Sequence, residues 1–277
     1  MDLTTALVRE TAALGPDLRA VWLEAPAVAR TAAPGQFVMV EGGPRRITRR
    51  PFSLSGVERE QGLVRLLIRV VGPASAWLAG RAAGDLVGLH GPRGQGFVPP
   101  PAGGEAWLVG GGIGVAPLLF FAAELRGAGQ GVWAALGGRT AAEIPGVDEL
   151  RARGVAVAVA TEDGSAGQQG LVTALLERRL AGDGPAPRTV YACGPREMLA
   201  AVARLVLAAG LSGQVSVEER MACGVGACAG CTWPDGRLAP DLVLRRLGSA
   251  TAPPGEGVGG GPLRVCRDGP CFEVVKA

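Results

Sequence analysis

The chain has 277 residues, with 28 basic against 25 acidic side chains and a formal charge of +3, which allows two compact domains and a small appendage. The near-balance, with no basic run interleaved with aromatics, leaves no nucleic-acid footprint. A single histidine, His90, argues against Ser-His-Asp or Cys-His catalysis and against His-ligated metals, since each needs an imidazole.

The first residues, Met1-Asp2-Leu3-Thr4-Thr5, show no positive run leading into an apolar stretch, so no signal peptide is read and a cytoplasmic location is the default. In that reducing compartment clustered cysteines mean metal rather than disulfides. Residues 1–101 read as short strands separated by turns, the pattern of a small antiparallel barrel. The expected strands include 18–24, 35–40 (launched from Pro34-Gly35), 63–71 (ending at Gly72-Pro73) and 85–89. His90, in His90-Gly91-Pro92, reads as a structural residue beside a turn. Within this part lies Arg49-Arg50-Pro51-Phe52-Ser53-Leu54. An arginine fixed beside a proline in extended backbone offers a planar fork to a phosphate oxygen. Ser53 lies on the same extended run, placed to bond a polar ring edge. The bland alternative is an ordinary strand start with a solvated arginine.

Over 102–217 the grammar changes to alternating strands and helices. Strands are expected at 106–109, 132–136, 155–160, 190–193 and 214–217, and helices at 117–126, 147–153, 171–180 and 197–209. Residues 106–123 carry no charge, but Gly110-Gly111-Gly112 and Pro117 break the run. Strand, turn and helix are therefore read there, not a membrane span. A parallel sheet binds ligands at the carboxyl ends of its strands. Three turns sit at those ends: Gly110–Gly114, Thr161-Glu162-Asp163-Gly164 and Cys193-Gly194-Pro195. Glycines after a strand let a phosphate or ribose approach backbone N–H groups. The spacing is not G-x-G-x-x-G, however, and the acidic residue expected about 20 positions on is missing. A plain glycine turn is the alternative. Cys193, closing a buried strand, reads as a small hydrophobe rather than a nucleophile.

Residues 218–277 carry Cys223, Cys228 and Cys231 at C-x4-C-x2-C, and Cys266 before Asp268-Gly269-Pro270. That is the plant-type spacing for a [2Fe-2S] cluster. Gly224, Gly226, Ala227, Ala229 and Gly230 let the loop fold tightly and leave N–H groups free to face sulfur. Structural zinc is the alternative, although zinc sites usually pair short C-x2-C knuckles. Residues 252–262 are too rich in Gly and Pro to fold alone, and are expected as a mobile surface insertion between the third and fourth ligands.

Arg50-Pro51-Phe52-Ser53, Gly110-Gly111-Gly112-Ile113-Gly114-Val115-Ala116-Pro117-Leu118 and Tyr191-Ala192-Cys193-Gly194-Pro195 occur in that order. Together they resemble the ferredoxin–NAD(P) reductase superfamily. The tail, from Glu218-Glu219-Arg220-Met221-Ala222-Cys223 through Cys231, with Val265-Cys266-Arg267-Asp268-Gly269-Pro270, resembles the electron-transfer subunits of B-type dihydroorotate dehydrogenase. The resemblance implies an α+β multidomain chain: an antiparallel flavin-binding barrel, a parallel α/β nucleotide-binding domain and a small C-terminal [2Fe-2S] domain. It implies FAD held by Arg50, Pro51, Phe52 and Ser53, lined by Ile68, Arg69 and Val70, with the pyrophosphate at Gly72 and Ser75. Ser75 stands where that family shows a threonine, and its second glycine is missing here. NAD(H) would be shaped by Gly111, Gly112, Gly114, Cys193, Gly194 and Pro195, and the cluster ligated by Cys223, Cys228, Cys231 and Cys266. The implied partner is a catalytic FMN-containing dihydroorotate dehydrogenase subunit in a heterotetramer serving pyrimidine biosynthesis, with no nucleic acid and no membrane. The rivals are a reductase subunit serving sulfite, ferredoxin or hydrogenase, and a zinc-bearing nucleotide-binding adaptor. Arg139 leaves NAD against NADP open.

Overall fold

Six strands close on themselves in the N-terminal part of this computed structural model, which describes residues 3–44, 47–182, 188–248 and 253–277. They are β1 (Leu3–Ala13), β2 (Leu18–Glu24), β3 (Phe37–Val40), β4 (Arg50–Glu58), β5 (Leu63–Arg69) and β6 (Leu86–Arg93). All pairings are antiparallel, in the order β1-β2-β5-β4-β3-β6. Alternation along each strand sends Val21, Leu23, Val38, Val40, Leu66 and Ile68 into one core, as a closed barrel requires. Helices α1 (Pro26–Thr31) and α2 (Pro73–Ala79) join strands at the rim. β1 carries no clear alternation in sequence because its register shifts between Val8 and Glu10; a bulge resets the period of two. His90 is not beside a turn. It is buried within β6 and hydrogen-bonds with Arg93.

The second part is a parallel sheet of β7 (Glu105–Gly111), β8 (Gly131–Gly138), β9 (Ala156–Thr161), β10 (Gln168–Gln169), β11 (Arg188–Cys193) and β12 (Ser212–Ser216). Helices α3 (Val115–Gly127), α4 (Val147–Ala152), α5 (Val172–Gly182) and α6 (Arg196–Ala208) cover it. The interior strands read as continuous apolar runs because both faces are buried. α3 is apolar all round from Val115 to Ala122, the signature of a helix segment enclosed on every side, and only its last turn, with Glu124 and Arg126, is exposed. Its Phe120 enters the barrel core, while Phe121 stacks on Phe97 at 5.2 Å and meets Tyr191 edge-on at 4.7 Å. One helix thus belongs to two cores and fixes barrel against sheet. The connecting segment is pinned as well: the Tyr191 hydroxyl and the Gln214 amide both donate to the Val98 carbonyl, at 2.8 and 2.9 Å.

The chain continues as β13 (Thr232–Trp233), β14 (Arg237–Ala239), β15 (Leu242–Arg246), β16 (Leu263–Arg264), α7 (Val265–Asp268) and β17 (Cys271–Lys276). β17 lies antiparallel on β12, and β15 and β14 follow, so the sheet grows to nine strands in the order β10-β9-β8-β7-β11-β12-β17-β15-β14. Phe272 and Val274 face the core, and the exposed edge of β12 is covered. The Gly/Pro segment departs from the expected mobile insertion. Ala252 lies outside the described residues, but 253–262 is tied down. The Gly255 N–H donates to Leu244 at 2.8 Å, and the Val258 N–H to Asp268 Oδ1 at 3.1 Å. The Asp268 carboxylate is buried, and a buried carboxylate must collect donors. No described helix is long and apolar enough to cross a membrane.

Candidate functional site

The strand order reverses between β7 and β11, and an open parallel sheet binds ligands in the crevice at that point. Both glycine turns meet there. A Cβ on Gly111 would lie 2.6 Å from Met198 Sδ and 2.9 Å from Pro195, and one on Gly114 would lie 2.6 Å from the Cys193 carbonyl oxygen. Only glycine lets the two backbones touch. The result is a crevice of about 530 Å³ lined by Gly111, Gly112, Gly114, Gly194 and Pro195, with Arg69, Arg139, Glu143, Glu162, Glu197 and Glu218 supplying its charge. Cys193 contributes backbone. Its thiol is buried and burial pushes its pKa well up, so it is no nucleophile.

Two arginines meet one carboxylate in this crevice. Arg139, just past β8, donates from Nε and Nη2 to Glu143 Oε1 at 3.1 and 2.6 Å, and its backbone N–H reaches Oε2 at 3.2 Å. These bonds hold the Glu143 carboxyl below its usual range. Arg69, expected on the flavin side, lines this crevice, with Nη2 3.4 Å from the Glu143 carbonyl and 3.9 Å from its carboxylate. Glu218 borders the crevice from the end of β12. Although the residue is exposed, loss of water around its carboxylate raises the carboxyl, while Arg69 pulls it down.

Glu218 also borders a second cavity of about 590 Å³, whose other walls are Arg50, Pro51, Glu219, Arg220 and Met221. Arg50 is exposed, its Nη1 resting on Thr48 Oγ1 at 2.8 Å. Phe52 packs on the barrel core, and Ser53 stands half-buried on β4 opposite Phe37. Ile68 faces the barrel interior, leaving only its backbone for a ligand. Val70 is fixed by its N–H to Asp17 at 2.8 Å. At the start of α2 the Ser75 hydroxyl accepts the N–H groups of Val71 and Gly72, at 3.0 and 3.1 Å, and donates to the Gly72 carbonyl. That hydroxyl is committed to its own helix cap. Gly72 has nothing within 4 Å of where a Cβ would stand, so its backbone is open to approach.

Directly after this wall comes the cysteine loop. Among the described residues no three His, Cys, Asp or Glu side chains converge as a mononuclear site would require. The four thiols fall into two pairs, Cys223 with Cys228 and Cys231 with Cys266. Two pairs suit two irons better than one tetrahedral zinc. Backbone N–H groups face the sulfurs: Gly226 to Cys266 Sγ at 3.0 Å, Val225 and Cys228 to Cys223 Sγ at 3.4 and 3.5 Å, and Cys266 to Cys231 Sγ at 3.4 Å. Partial burial opposes ionisation of Cys223, but these donors bring its pKa down to about 7. The hydrogen bond from Cys266 brings Cys231 down to about 6, and Cys266 rises in turn. Thiols so poised have the thiolate character that metal ligation needs. The loop needs its small residues: Gly224 and Gly226 have φ of +69° and +79°, and a Cβ on Gly224 would lie 2.5 Å from Met39 of β3. Cys271 stands apart, buried beside the Gly35 carbonyl at 3.8 Å.

Residues 218–238 match the model of the iron–sulfur cluster binding domain of dihydroorotate dehydrogenase B. A relative from Desulforamulus reducens, the dihydroorotate dehydrogenase B (NAD(+)) electron transfer subunit, is 38% identical over 79% of this chain and 83% of its own. The chain belongs to this family of electron-transfer subunits. The subunit of the same description from Bacillus caldolyticus is 39% identical over 87% of this chain and 85% of its own. A solved NADH-dependent reduced ferredoxin–NADP oxidoreductase structure, from a study of flavin-based electron bifurcation, superposes with a TM-score of 0.79. It is 27% identical and covers 97% of this chain and 87% of its own. For this family member, sequence reasoning missed Glu143, Met198 and the double duty of Glu218, whereas Glu162 lies in one of the strand-end turns it had singled out. For Glu218 the available signal was the same, since it too follows the carboxyl end of a strand. Glu143 gave none: it reaches the crevice only because the chain turns back after β8.

Proposed function

We propose that this chain moves electrons between NAD(H), FAD and a [2Fe-2S] cluster, exchanging them with the flavin of a catalytic dihydroorotate dehydrogenase subunit in pyrimidine biosynthesis. It would act in the cytoplasm within a heterotetramer. The observation that carries this reading is continuity. Glu218 borders both cavities, and the stretch 218–221 that walls the second runs straight into Cys223. The nucleotide crevice, the second cavity and the cysteine loop therefore lie in sequence along one short piece of backbone.

In this reading Arg50, Pro51, Phe52 and Ser53 hold FAD together with the backbone of 68–70 and Gly72, and the interlocked glycine turns receive NAD(H). Residues 1–101, 102–217 and 218–277 serve the flavin, the nucleotide and the cluster respectively. A bound flavin would supply hydride acceptance and one-electron exchange with a bound cluster. The chain's own residues position and insulate. Met39 against Gly224 seats the cysteine loop on the barrel, and Trp233 Nε1 holds Glu219 Oε1 at 2.7 Å to fix the wall between cavity and cluster. Oxidation of dihydroorotate at carbon needs a positioned base. His90 is buried with Arg93 and the Cys193 thiol is pushed up, so that step belongs to the partner.

The test is a visible spectrum with metal analysis on protein purified anaerobically. Flavin and [2Fe-2S] absorption with about two irons per chain is expected, and a colourless protein holding stoichiometric zinc would defeat the reading. The likeness to the ferredoxin-linked oxidoreductase supports a second reading, in which the partner delivers to ferredoxin. Copurification with a dihydroorotate-oxidising flavoprotein decides between them.

A further inference from the structure

We propose that the Glu219 carboxylate, clamped by Trp233 with Arg196 behind it, is a fixed negative charge that lowers the potential of the cluster held by the cysteine loop; the inference rests on the cluster reading above. Glu219 lines the second cavity and stands four residues before Cys223. A half-buried carboxylate on such a stretch is ordinarily free to swing into water, where its field is screened. Here both oxygens are engaged. Trp233 Nε1 donates to Oε1 at 2.7 Å, and the Arg220 N–H donates to Oε2 at 3.2 Å.

The clamp is itself held. Trp233 is buried, and its indole N–H can only donate. The Arg196 guanidinium covers its ring, 4.7 Å from the centroid. Arg196 opens α6 directly after the Gly194-Pro195 turn, and donates to the carbonyls of Leu238 and Arg237 at 2.9 and 2.6 Å. Trp233 lies two residues after Cys231, and Thr232–Trp233 pairs with Leu263–Arg264, the strand that runs into Cys266. The side chain that holds Glu219 is thus carried by the strand pair joining the third ligand to the fourth. Electrostatics agree with this placement. The Cys231 thiol is brought down chiefly by its hydrogen bond with Cys266, and the Glu219 charge opposes that shift, so the carboxylate acts on this ligand.

Reduction of a [2Fe-2S] site adds one electron to a centre ligated by four thiolates, and net charge and hydrogen bonds to sulfur both set its potential. A fixed carboxylate repels the reduced state more than the oxidised one, because Coulomb repulsion grows with charge. The N–H groups facing Cys223 and Cys266 act in the opposite direction. Arg264, bonded to the Gly226 carbonyl at 2.6 Å, brings a positive charge to the same loop, so the effect of Glu219 is read by removing its charge alone.

The experiment is an EPR-monitored redox titration of the flavin- and cluster-loaded chain, with the flavin followed by absorbance in parallel and iron measured on each variant. Glu219→Gln keeps an acceptor for the indole and removes the charge. It should raise the reduced-to-oxidised ratio of the cluster at a fixed solution potential by about tenfold, a shift of about 59 mV for one electron. Trp233→Phe keeps a ring under Arg196 but no donor, and should give a smaller rise, because the released carboxylate turns into solvent. Should Glu219→Gln lose iron, the sign of the Trp233→Phe shift decides. An unchanged or lowered cluster potential in Glu219→Gln at wild-type iron content would overturn the inference, as would a shift of the flavin couple without one of the cluster. A rise in Glu219→Gln with none in Trp233→Phe would overturn the clamp. Wild type showing no [2Fe-2S] signal would overturn the cluster reading and this inference with it.

Discussion

Cys266 and Cys271 flank one short turn yet occupy different chemistry. Cys266 Sγ accepts the Gly226 N–H and shares a hydrogen bond with Cys231, whereas burial beside Gly35 pushes the Cys271 thiol up. Cys266→Ser should therefore lose most of its iron while Cys271→Ala keeps the wild-type content, as read by metal analysis. Equal iron in Cys266→Ser and wild type would mean another donor serves. Gly114 offers a second test. A Cβ there meets the backbone of Cys193 and cannot be relieved by a side-chain rotation. Gly114→Ala should cost about 1–3 kcal/mol in denaturant unfolding, the range of an overpacked core, and should weaken binding of ADP-ribose. An alanine variant with unaltered stability and binding would show that the two turns do not need to touch. Glu218 supplies a pH signature. Neighbouring atoms that shed water from its carboxylate raise its folded-state pKa above the unfolded value, so its ionised form opposes folding even though the residue is exposed. The contribution of Glu218 to stability should be highest below the usual carboxylate range and fall as pH rises through the raised pKa. Glu218→Gln should remove that part of the pH dependence and leave Tm at neutral pH unchanged or slightly higher; a lower Tm would mean that its attraction to Arg69 outweighs its desolvation.

At the scale of elements, what could be read from sequence is what local chemistry dictates. β2 and the turns ending β7 and β11 are legible because apolar alternation and Gly or Pro mark them directly. The cysteine loop is legible because a cluster demands its spacing. β1 is hidden by its bulge. The extension of the sheet by β17, β15 and β14 is hidden because nothing in Cys271–Lys276 says which edge it will pair with. The Glu143–Arg139 contact is hidden for the same reason, being made by tertiary folding. β17 is also where element and site meet, since it follows the turn that carries Cys266. Phe272 is fully buried at its start and its ring lies against Gly269. Phe272→Ala should cost about 3–5 kcal/mol, as a buried aromatic does, and should lower iron retention during urea unfolding. A loss below about 1 kcal/mol, far under that range, would show that β12 does not need this cover.

Across the whole molecule, barrel and sheet are locked by α3 and by two ion pairs. Arg59 meets Glu124 at 2.7 Å, and Arg65 grips Glu149 with both Nη atoms at 2.9 Å. Barrel and crevice are thereby held in one arrangement, and what remains exposed is the far side of the cysteine loop. Ala227, Cys228, Ala229 and Gly230 are exposed and uncharged, whereas Cys231 and Cys266 are buried. On the proposed reading, electrons entering at the crevice would reach the surface near Cys228. The isolated chain should oxidise NADH with an artificial dye but leave dihydroorotate untouched, because the proposed reading gives that oxidation to the partner. Adding the flavin-bearing catalytic subunit should allow dihydroorotate to reduce NAD. Cys228→Ser should abolish that coupled reaction while leaving NADH-to-dye turnover largely intact, since the crevice and the second cavity do not include Cys228. Stopped-flow absorbance on the two reactions separates the outcomes. Turnover of dihydroorotate by the single chain would reveal a catalytic site in it, and an undiminished coupled rate in Cys228→Ser would show that electrons leave by another route.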